Sequence, residues 1–192
     1  DYMKQRYYEQ MQDSSITVTG LHADSIQGDK EICEILRGAG ANVTETGGAY
    51  TVSCGTTANF DAELEKIPDL LPIMAVRAAF SPGDSRFTKA ERLRLKESDR
   101  LTATAAMLSA IGGRVTELPD GLTVHGGGLQ GGTVDGQNDH RLVMAAAIAA
   151  LRCKEPVTIL GAEAVNKSYP QFFEDYRRLG GRCVFQGELT NR

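Results

Sequence analysis

One pattern recurs three times along the chain: a helix-like stretch ends in small residues and runs into a β-branched strand. The copies are ILRGAGANVTET (35–46), MLSAIGGRVTEL (107–118) and DYRRLGGRCVFQ (175–186), with the second glycine at positions 40, 113 and 181. Because glycine adopts the left-handed conformation at a helix C-terminus without penalty, each copy predicts a helix, a glycine cap and a strand in that order. A chain with such a period is expected to fold as repeated structural units.

Each repeated unit also needs a second helix that covers its sheet. Two alanine-rich segments with few charges predict helices that are buried nearly all round, whereas three amphipathic segments predict helices further out. The buried helices are expected at 68–80 and 138–152, and the outer ones at 29–38, 98–110 and 169–179. Strands are expected at 15–23 and 155–164, less clearly within 85–95, and in hairpins at 50–54 and 122–125.

These elements predict an α/β fold of three related units, each mixing parallel and antiparallel strands. The predicted units span about 15–65, 66–126 and 127–186. Residues 1–14 place Met3, Tyr7 and Met11 on one face of a possible helix of the first unit, and residues 187–192 are expected to form a tail.

Composition narrows the class of protein. The chain has 192 residues, 41% of them hydrophobic, and a formal net charge of −4. It can therefore bury a core, and the mild acidic balance argues against nucleic acid or an anionic membrane as a partner. The four cysteines lack the spacing of a zinc site, and no apolar run approaches the roughly 20 residues that span a bilayer. The sequence predicts a soluble cytoplasmic protein without a metal site.

Basic residues recur where a predicted helix begins, although the helix dipole is already positive there. Three such starts combine a capping residue with a nearby cation, and their free N–H groups would add to a site for phosphate or carboxylate. The sets are Lys96 and Arg100 around a Ser98 cap, Arg141 after a cap at Asn138 or Asp139, and Lys167 beside a Ser168 cap. If the units are related by three-fold symmetry, these helix ends could converge on one polyanionic ligand.

Two carboxylates and a histidine accompany these cations. Glu97 lies between Lys96 and Arg100, where it could exchange protons with a substrate or simply complement the helix dipole. Asp69 follows Pro68 and is a natural N-cap for the next apolar helix. His140 abuts Arg141, as a hydrogen-bond donor or as an ordinary helix-entry residue. The glycine-rich run 126–132 lacks the lysine of a phosphate loop and predicts a turn.

Five segments carry a family resemblance: KESDRL, NDHRLVMA, VNKSYPQFF, IPDLLPIMAVRAAF and ADSIQGD. Together they resemble the C-terminal half of the 5-enolpyruvylshikimate-3-phosphate synthases (3-phosphoshikimate 1-carboxyvinyltransferases), over residues 15–185 or so. The resemblance implies three βαβαββ-type units that form one domain of an inside-out α/β barrel, the enolpyruvyl transferase fold. That architecture agrees with the internal repeat.

The resemblance also implies a reaction and the residues that carry it. The family moves the enolpyruvyl group of phosphoenolpyruvate onto the 5-hydroxyl of shikimate 3-phosphate and releases phosphate, without a metal or an organic cofactor. Protons must be moved at the methylene carbon and at the hydroxyl, so two acid/base groups are required. The matching positions are Glu97 toward the methylene, Asp69 toward the 5-hydroxyl, Arg100 and Arg141 for phosphoenolpyruvate, Lys167 for its phosphate, Lys96 for shikimate 3-phosphate, and His140 at the edge of the site.

A partner domain is part of the same expectation. In the family, GSKS- and GNSGT-like segments of the other domain supply a catalytic lysine and most of the shikimate 3-phosphate contacts, and this sequence contains neither. The resemblance therefore implies that the chain supplies one of two domains. The alternative is a non-catalytic anion-binding or interaction module derived from that domain. An RNA-processing function is disfavoured by the acidic balance and the lack of a basic, aromatic stripe.

Overall fold

The computed structural model describes residues 14–21, 24–96 and 98–185. The predicted N-terminal helix, the proposed acid/base residue Glu97 and the predicted tail therefore lie outside the described residues. The described strands are β1 Ser15–Val18, β2 Asn42–Thr46, β3 Ala49–Ser53, β4 Ala62–Glu63, β5 Asp84–Thr88, β6 Arg114–Leu118, β7 Gly121–His125, β8 Gly132–Asp135 and β9 Val157–Leu160. The helices are α1 Ile32–Gly38, α2 Leu71–Ala79, α3 Arg100–Ala110, α4 His140–Ala150 and α5 Phe172–Arg178.

The same connections recur among these elements. In the first sheet, β1 and β2 flank β3, and in the second, β5 and β6 flank β7, all antiparallel to the central strand. The order β1–α1–β2–β3 is therefore repeated as β5–α3–β6–β7. The prediction of a strand after the third glycine pair was wrong for the described residues, because residues 181–185 form no regular secondary structure. Helices α2 and α4 each link a parallel pair, β4 with β5 and β8 with β9. Parallel neighbours require such a crossover, and here the crossover is a buried helix.

Helices α1, α3 and α5 end in one and the same hydrogen-bonded motif. In each, a glycine adopts a positive φ, and the N–H of the following residue donates to a carbonyl in the last helical turn, as in a Schellman motif. The glycines are Gly40 (φ 91°), Gly112 (φ 82°) and Gly180 (φ 97°). The N–H to carbonyl pairs are Ala41 to Leu36, Gly113 to Leu108 and Gly181 to Tyr176, at 2.9, 2.8 and 2.9 Å.

The alignment of the copies on their second glycine was wrong by one residue. The left-handed residue is the first glycine of the pair at Gly112 and at Gly180. The second glycine is needed for a different reason: a Cβ on Gly113 would lie 2.9 Å from the Leu108 carbonyl oxygen, and one on Gly181 would lie 2.3 Å from the Tyr176 ring. A paired glycine thus combines a turn with a close approach.

Helices α2 and α4 pack against each other inside the main core, where Leu71, Met74, Leu142 and Ala146 are buried. The prediction of two largely buried helices is confirmed for α2, in which seven of nine residues are buried, and holds less completely for α4, in which six of eleven are buried. Helix α3 was expected further out, which was wrong. It packs on both α2 and α4 as well as on β6, and seven of its eleven residues are buried.

The α-helices begin two or three residues later than the sequence pattern predicts. Before α1 and α2 the chain forms 3₁₀ turns, at Gly28–Glu31 and Pro68–Leu70. The segment 85–95, where a strand was less clearly expected, contains most of β5 and then a 3₁₀ turn at Glu91–Leu95. The turn at Glu91–Leu95 leads into the start of α3, where Arg100 lies. No helix among the described residues combines the length and apolar character required to cross a bilayer.

Candidate active site

Asp69 lies at the centre of a cluster of predicted site residues. It belongs to the 3₁₀ turn before α2, and its Oδ1 accepts a hydrogen bond from Arg100 Nη1 at 2.7 Å, while Lys96 Nζ lies 3.4 Å away. Its Oδ2 accepts from Arg141 Nη2 at 2.9 Å. The expectation that Asp69 caps a helix was wrong, because its side chain makes no capping bond. It instead contacts three cations from two segments of the chain, 96–100 and the start of α4.

Arg100 is anchored on a second carboxylate. This arginine is the first residue of α3, its side chain is 1% exposed, and its Nε donates to Asp139 Oδ2 at 2.7 Å. Asp139 is itself 0% exposed. Its other oxygen, Oδ1, accepts from the backbone N–H of Arg141 at 2.9 Å and caps α4. Of the two capping candidates, Asn138 and Asp139, the structure selects the aspartate.

Lys167, which lies later in the chain than α4, contacts the segment just before the start of that helix. It ends the 3₁₀ helix Ala162–Lys167, and its Nζ donates to the Asn138 carbonyl at 2.7 Å. Asn138 and Gln137 have positive φ angles of 56° and 46°, which few non-glycine residues adopt. The prediction of a Ser168 N-cap was wrong, since that residue ends the 3₁₀ helix and α5 starts at Phe172.

The remaining predicted residues lie around this cluster. His140 is the half-buried first residue of α4, between Asp139 and Arg141 in sequence. The predicted Ser98 cap was wrong, because Asp99 caps α3 by accepting from the Thr102 N–H at 3.1 Å. The Ser98 hydroxyl oxygen is buried and has no hydrogen-bond partner among the described residues.

Positive charge exceeds negative charge in the described part of the site. Four cations, Lys96, Arg100, Arg141 and Lys167, surround the two carboxylates Asp69 and Asp139. Burial opposes ionisation of Asp69, but the charges of Arg141, Lys96 and Arg100 outweigh it and hold the pKa of this carboxyl below its ordinary value. Asp69 is therefore an anion at neutral pH.

One side of the cluster is apolar. A cavity of about 220 Å³ lies against Asp69 and Arg141, between α2 and α4. Its other lining residues are Leu70, Pro72, Ile73, Met144, Ala145 and Ile148. Such a wall lowers the local dielectric and strengthens the nearby charge interactions.

Sequence reasoning missed the second role of Asp139. Its position before a helix identified it as a possible cap, but its ion pair joins residues 39 positions apart, and no local sequence pattern indicates such a contact.

In the described ranges, no three His, Cys, Asp or Glu side chains are grouped as metal ligands would be, and all four cysteines are unpaired.

Fold and site together define a class of protein. It is an α/β domain with recurring connections. The starts of α3 and α4 and the ends of two 3₁₀ segments bring basic side chains together near an ionised carboxylate. The family EPSP synthase (3-phosphoshikimate 1-carboxyvinyltransferase) matches residues 10–176. The chain belongs to this family.

Individual relatives agree with this assignment. The chain is 45% identical over 169 residues to a 3-phosphoshikimate 1-carboxyvinyltransferase of Clostridium novyi, covering 88% of this chain and 39% of that protein. It is 44% identical to the Methanocella arvoryzae protein of the same name, over 88% of this chain and 40% of that one. The chain thus spans about two fifths of the length of the curated relatives that it matches.

Solved structures give the same result for the fold. An EPSP synthase from Acinetobacter baumannii superposes with a TM-score of 0.76 at 29% identity, over 87% of this chain and 42% of that one. The enolpyruvyl transferase NikO from Streptomyces tendae superposes with a TM-score of 0.73 at 20% identity, over 88% and 40%, which supports the fold alone. The predicted enolpyruvyl transferase fold is confirmed.

Proposed function

We propose that this chain supplies one of the two halves of a 3-phosphoshikimate 1-carboxyvinyltransferase active site. The reaction moves the enolpyruvyl group of phosphoenolpyruvate onto the 5-hydroxyl of shikimate 3-phosphate and releases phosphate. The observation that carries the proposal is the contact of one carboxylate, Asp69, with Lys96, Arg100 and Arg141. A second domain completes the site, in keeping with the 39% of the Clostridium novyi relative that the chain covers.

The cations suit phosphoenolpyruvate, which carries a phosphate and a carboxylate. Arginine presents paired N–H donors that match both groups, and Arg100 and Arg141 lie at the starts of α3 and α4, where backbone N–H groups also favour anions. Lys167, beside the start of α4, would contact the phosphate, and Lys96 would contact shikimate 3-phosphate. The bound anions would compete with Asp69 for the guanidinium groups.

Asp69 would take the proton of the 5-hydroxyl. As that oxygen attacks C2 of phosphoenolpyruvate, the methylene carbon C3 gains a proton and a tetrahedral ketal phosphate forms. In the second step C3 loses a proton, the bond from C2 to the phosphate oxygen breaks, and phosphate leaves. The lowered pKa of Asp69 keeps it ionised and able to accept a proton, and anions that neutralise the arginines would raise its basicity. Glu97 would carry the proton transfers at C3, as the family motif implies.

The setting proposed for this activity is the cytoplasm. The four unpaired cysteines are compatible with a reducing compartment. The substrates are small phosphorylated metabolites, and both steps of the reaction balance without an organic cofactor or a metal ion. Neither nucleic acid nor a membrane has a role in the proposed reaction.

Complementation tests the proposal. The chain is mixed with the remaining part of the Clostridium novyi relative, and phosphate release is measured with both substrates present. We expect turnover that requires both halves, and a loss of about 10²- to 10⁴-fold for Asp69→Asn. Asp84→Asn is the matched control, because the Asp84 carboxylate contacts His125 outside the cluster.

Three results would count against this function. No turnover with correctly folded halves, but binding of phosphoenolpyruvate, would favour the non-catalytic anion-binding module. Equal activity of Asp69→Asn and Asp84→Asn would remove the role of Asp69. Normal turnover of Glu97→Ala would remove the role of Glu97.

A further inference from the structure

The two oxygens of Asp139 hold the two arginines of the cluster in different ways. Oδ2 accepts from the Nε of the Arg100 side chain, at 2.7 Å, and Oδ1 accepts from the main-chain N–H of Arg141, at 2.9 Å. The carboxylate therefore links the first residue of α3 to the first turn of α4. Because both Asp139 and Arg100 are buried, this link is shielded from water and from salt.

The link also fixes the direction of the Arg100 guanidinium. A planar guanidinium that is held at Nε can present its Nη groups in only one direction, and Nη1 of Arg100 reaches Asp69. Arg141 reaches the other oxygen of Asp69 from a helix start that Asp139 caps. One buried carboxylate thus determines where both guanidiniums meet.

We propose that Asp139 is a positioning residue that aligns Arg100 and Arg141 to bind the phosphate and carboxylate of phosphoenolpyruvate together. This inference rests on the proposed function, because it assumes that the two arginines bind that substrate. Asp139 acts through them and does not contact the substrate itself.

An asparagine at position 139 distinguishes the alignment of the Arg100 guanidinium from the capping of α4. It caps helix N-termini about as well as aspartate, so Asp139→Asn retains the acceptor for the Arg141 N–H. It removes the negative charge that faces Arg100 Nε. Asp99 provides a matched control, since it also caps a helix and accepts from an arginine: its Oδ1 binds the Thr102 N–H and its Oδ2 binds Arg94. Its arginine lies outside the cluster around Asp69.

The test is titration of the full chain with phosphoenolpyruvate by calorimetry at low salt, for the wild type, Asp139→Asn and Asp99→Asn. We expect the Asp139→Asn dissociation constant to rise about tenfold or more, as the loss of a hydrogen bond between buried charged groups implies. The Asp99→Asn constant should remain within about twofold of the wild type, since an asparagine cap is nearly equivalent.

Nitrogen NMR measures the hydrogen-exchange rate of each arginine Nε–H group, which a capping role of Asp139 alone would not change. The Arg100 signal, identified by its loss in Arg100→Lys, should exchange slowly in the wild type and stay slow when phosphoenolpyruvate is added. Fast exchange of this signal in the wild type, or its release on binding, would overturn the positioning role even if Asp139→Asn fails to fold.

The calorimetric outcomes separate the two proposals. A wild-type chain that is folded but does not bind phosphoenolpyruvate overturns the proposed role of the arginines. Wild-type binding with an unchanged constant in Asp139→Asn overturns the role of Asp139 alone. Equal weakening in Asp139→Asn and Asp99→Asn would mean that loss of a negative charge at either helix start, and not loss of the contact with Arg100, lowers the affinity, and would also overturn it.

Discussion

The buried ion pair between Arg100 and Asp139 makes a quantitative prediction about stability. Replacing Arg100 by methionine keeps the length and much of the volume of the side chain but leaves Asp139, which is 0% exposed, without its cation. Removing one partner of a buried pair costs about 3–5 kcal/mol, because the remaining charge is uncompensated. The short Nε to Oδ2 distance of 2.7 Å and the 1% exposure of Arg100 put this pair in that range.

Urea unfolding measures this cost. With a slope of about 1–3 kcal/mol per molar urea, the midpoint of Arg100→Met should fall by more than about 1 M. The double variant Arg100→Met with Asp139→Asn should recover part of the loss, because it contains no unpaired buried charge. Lys89→Met is the control, since the pair between Lys89 and Glu63 is exposed at 50% and 66%. Its midpoint should not change measurably.

Two results would refute this reasoning. If Arg100→Met and Lys89→Met shift the midpoint equally, the Arg100 pair is not buried in solution. If the double variant is as unstable as the sum of the two single variants, the two side chains do not interact.

Two further predictions concern acid stability and the helix caps. The pKa of Asp69 is lowered in the folded state, so its ionised form stabilises the fold above the ordinary value of 3.8, and this contribution is lost as the pH falls through the lowered pKa. Urea midpoints measured from pH 7 to pH 3 should show the wild type losing its advantage over Asp69→Asn in that acid range, and a constant difference would contradict the assignment. Gly112→Ala should destabilise the chain by about 1–2 kcal/mol, because its φ of 82° strains any L side chain and its Cβ would lie 2.8 Å from Gln130 Cγ. Gly38→Ala, at the last residue of α1 with nothing near the added Cβ, should be neutral or stabilising in the same urea assay.

Short sequence patterns predicted some features of the site and not others. Basic residues at predicted helix starts identified Arg100, Arg141 and Lys167, because capping and charge are properties of a few consecutive residues. Ser98 and Ser168 were chosen as caps by the same reasoning and were wrong, since the true starts of α3 and α5 lie two to four residues later. Where a helix begins depends on the turn before it, and a short sequence window determines that turn poorly.

Taken alone, the sequence determined the family, the order of helix, glycine cap and strand in the first two copies of the repeat, and the two apolar helices of the core. These features depend on local conformation and on hydrophobic pattern, which each segment carries by itself. The tertiary structure decided the role of the carboxylates. The residues next to Asp69 predict that it is a helix cap, yet its carboxylate binds Arg100 and Arg141, which are 31 and 72 positions away. Asp139 reads locally as one of two caps, yet it also holds Arg100 in the core. A carboxylate has several possible partners along a chain, and only the packing of α2, α3 and α4 selects which cations reach it.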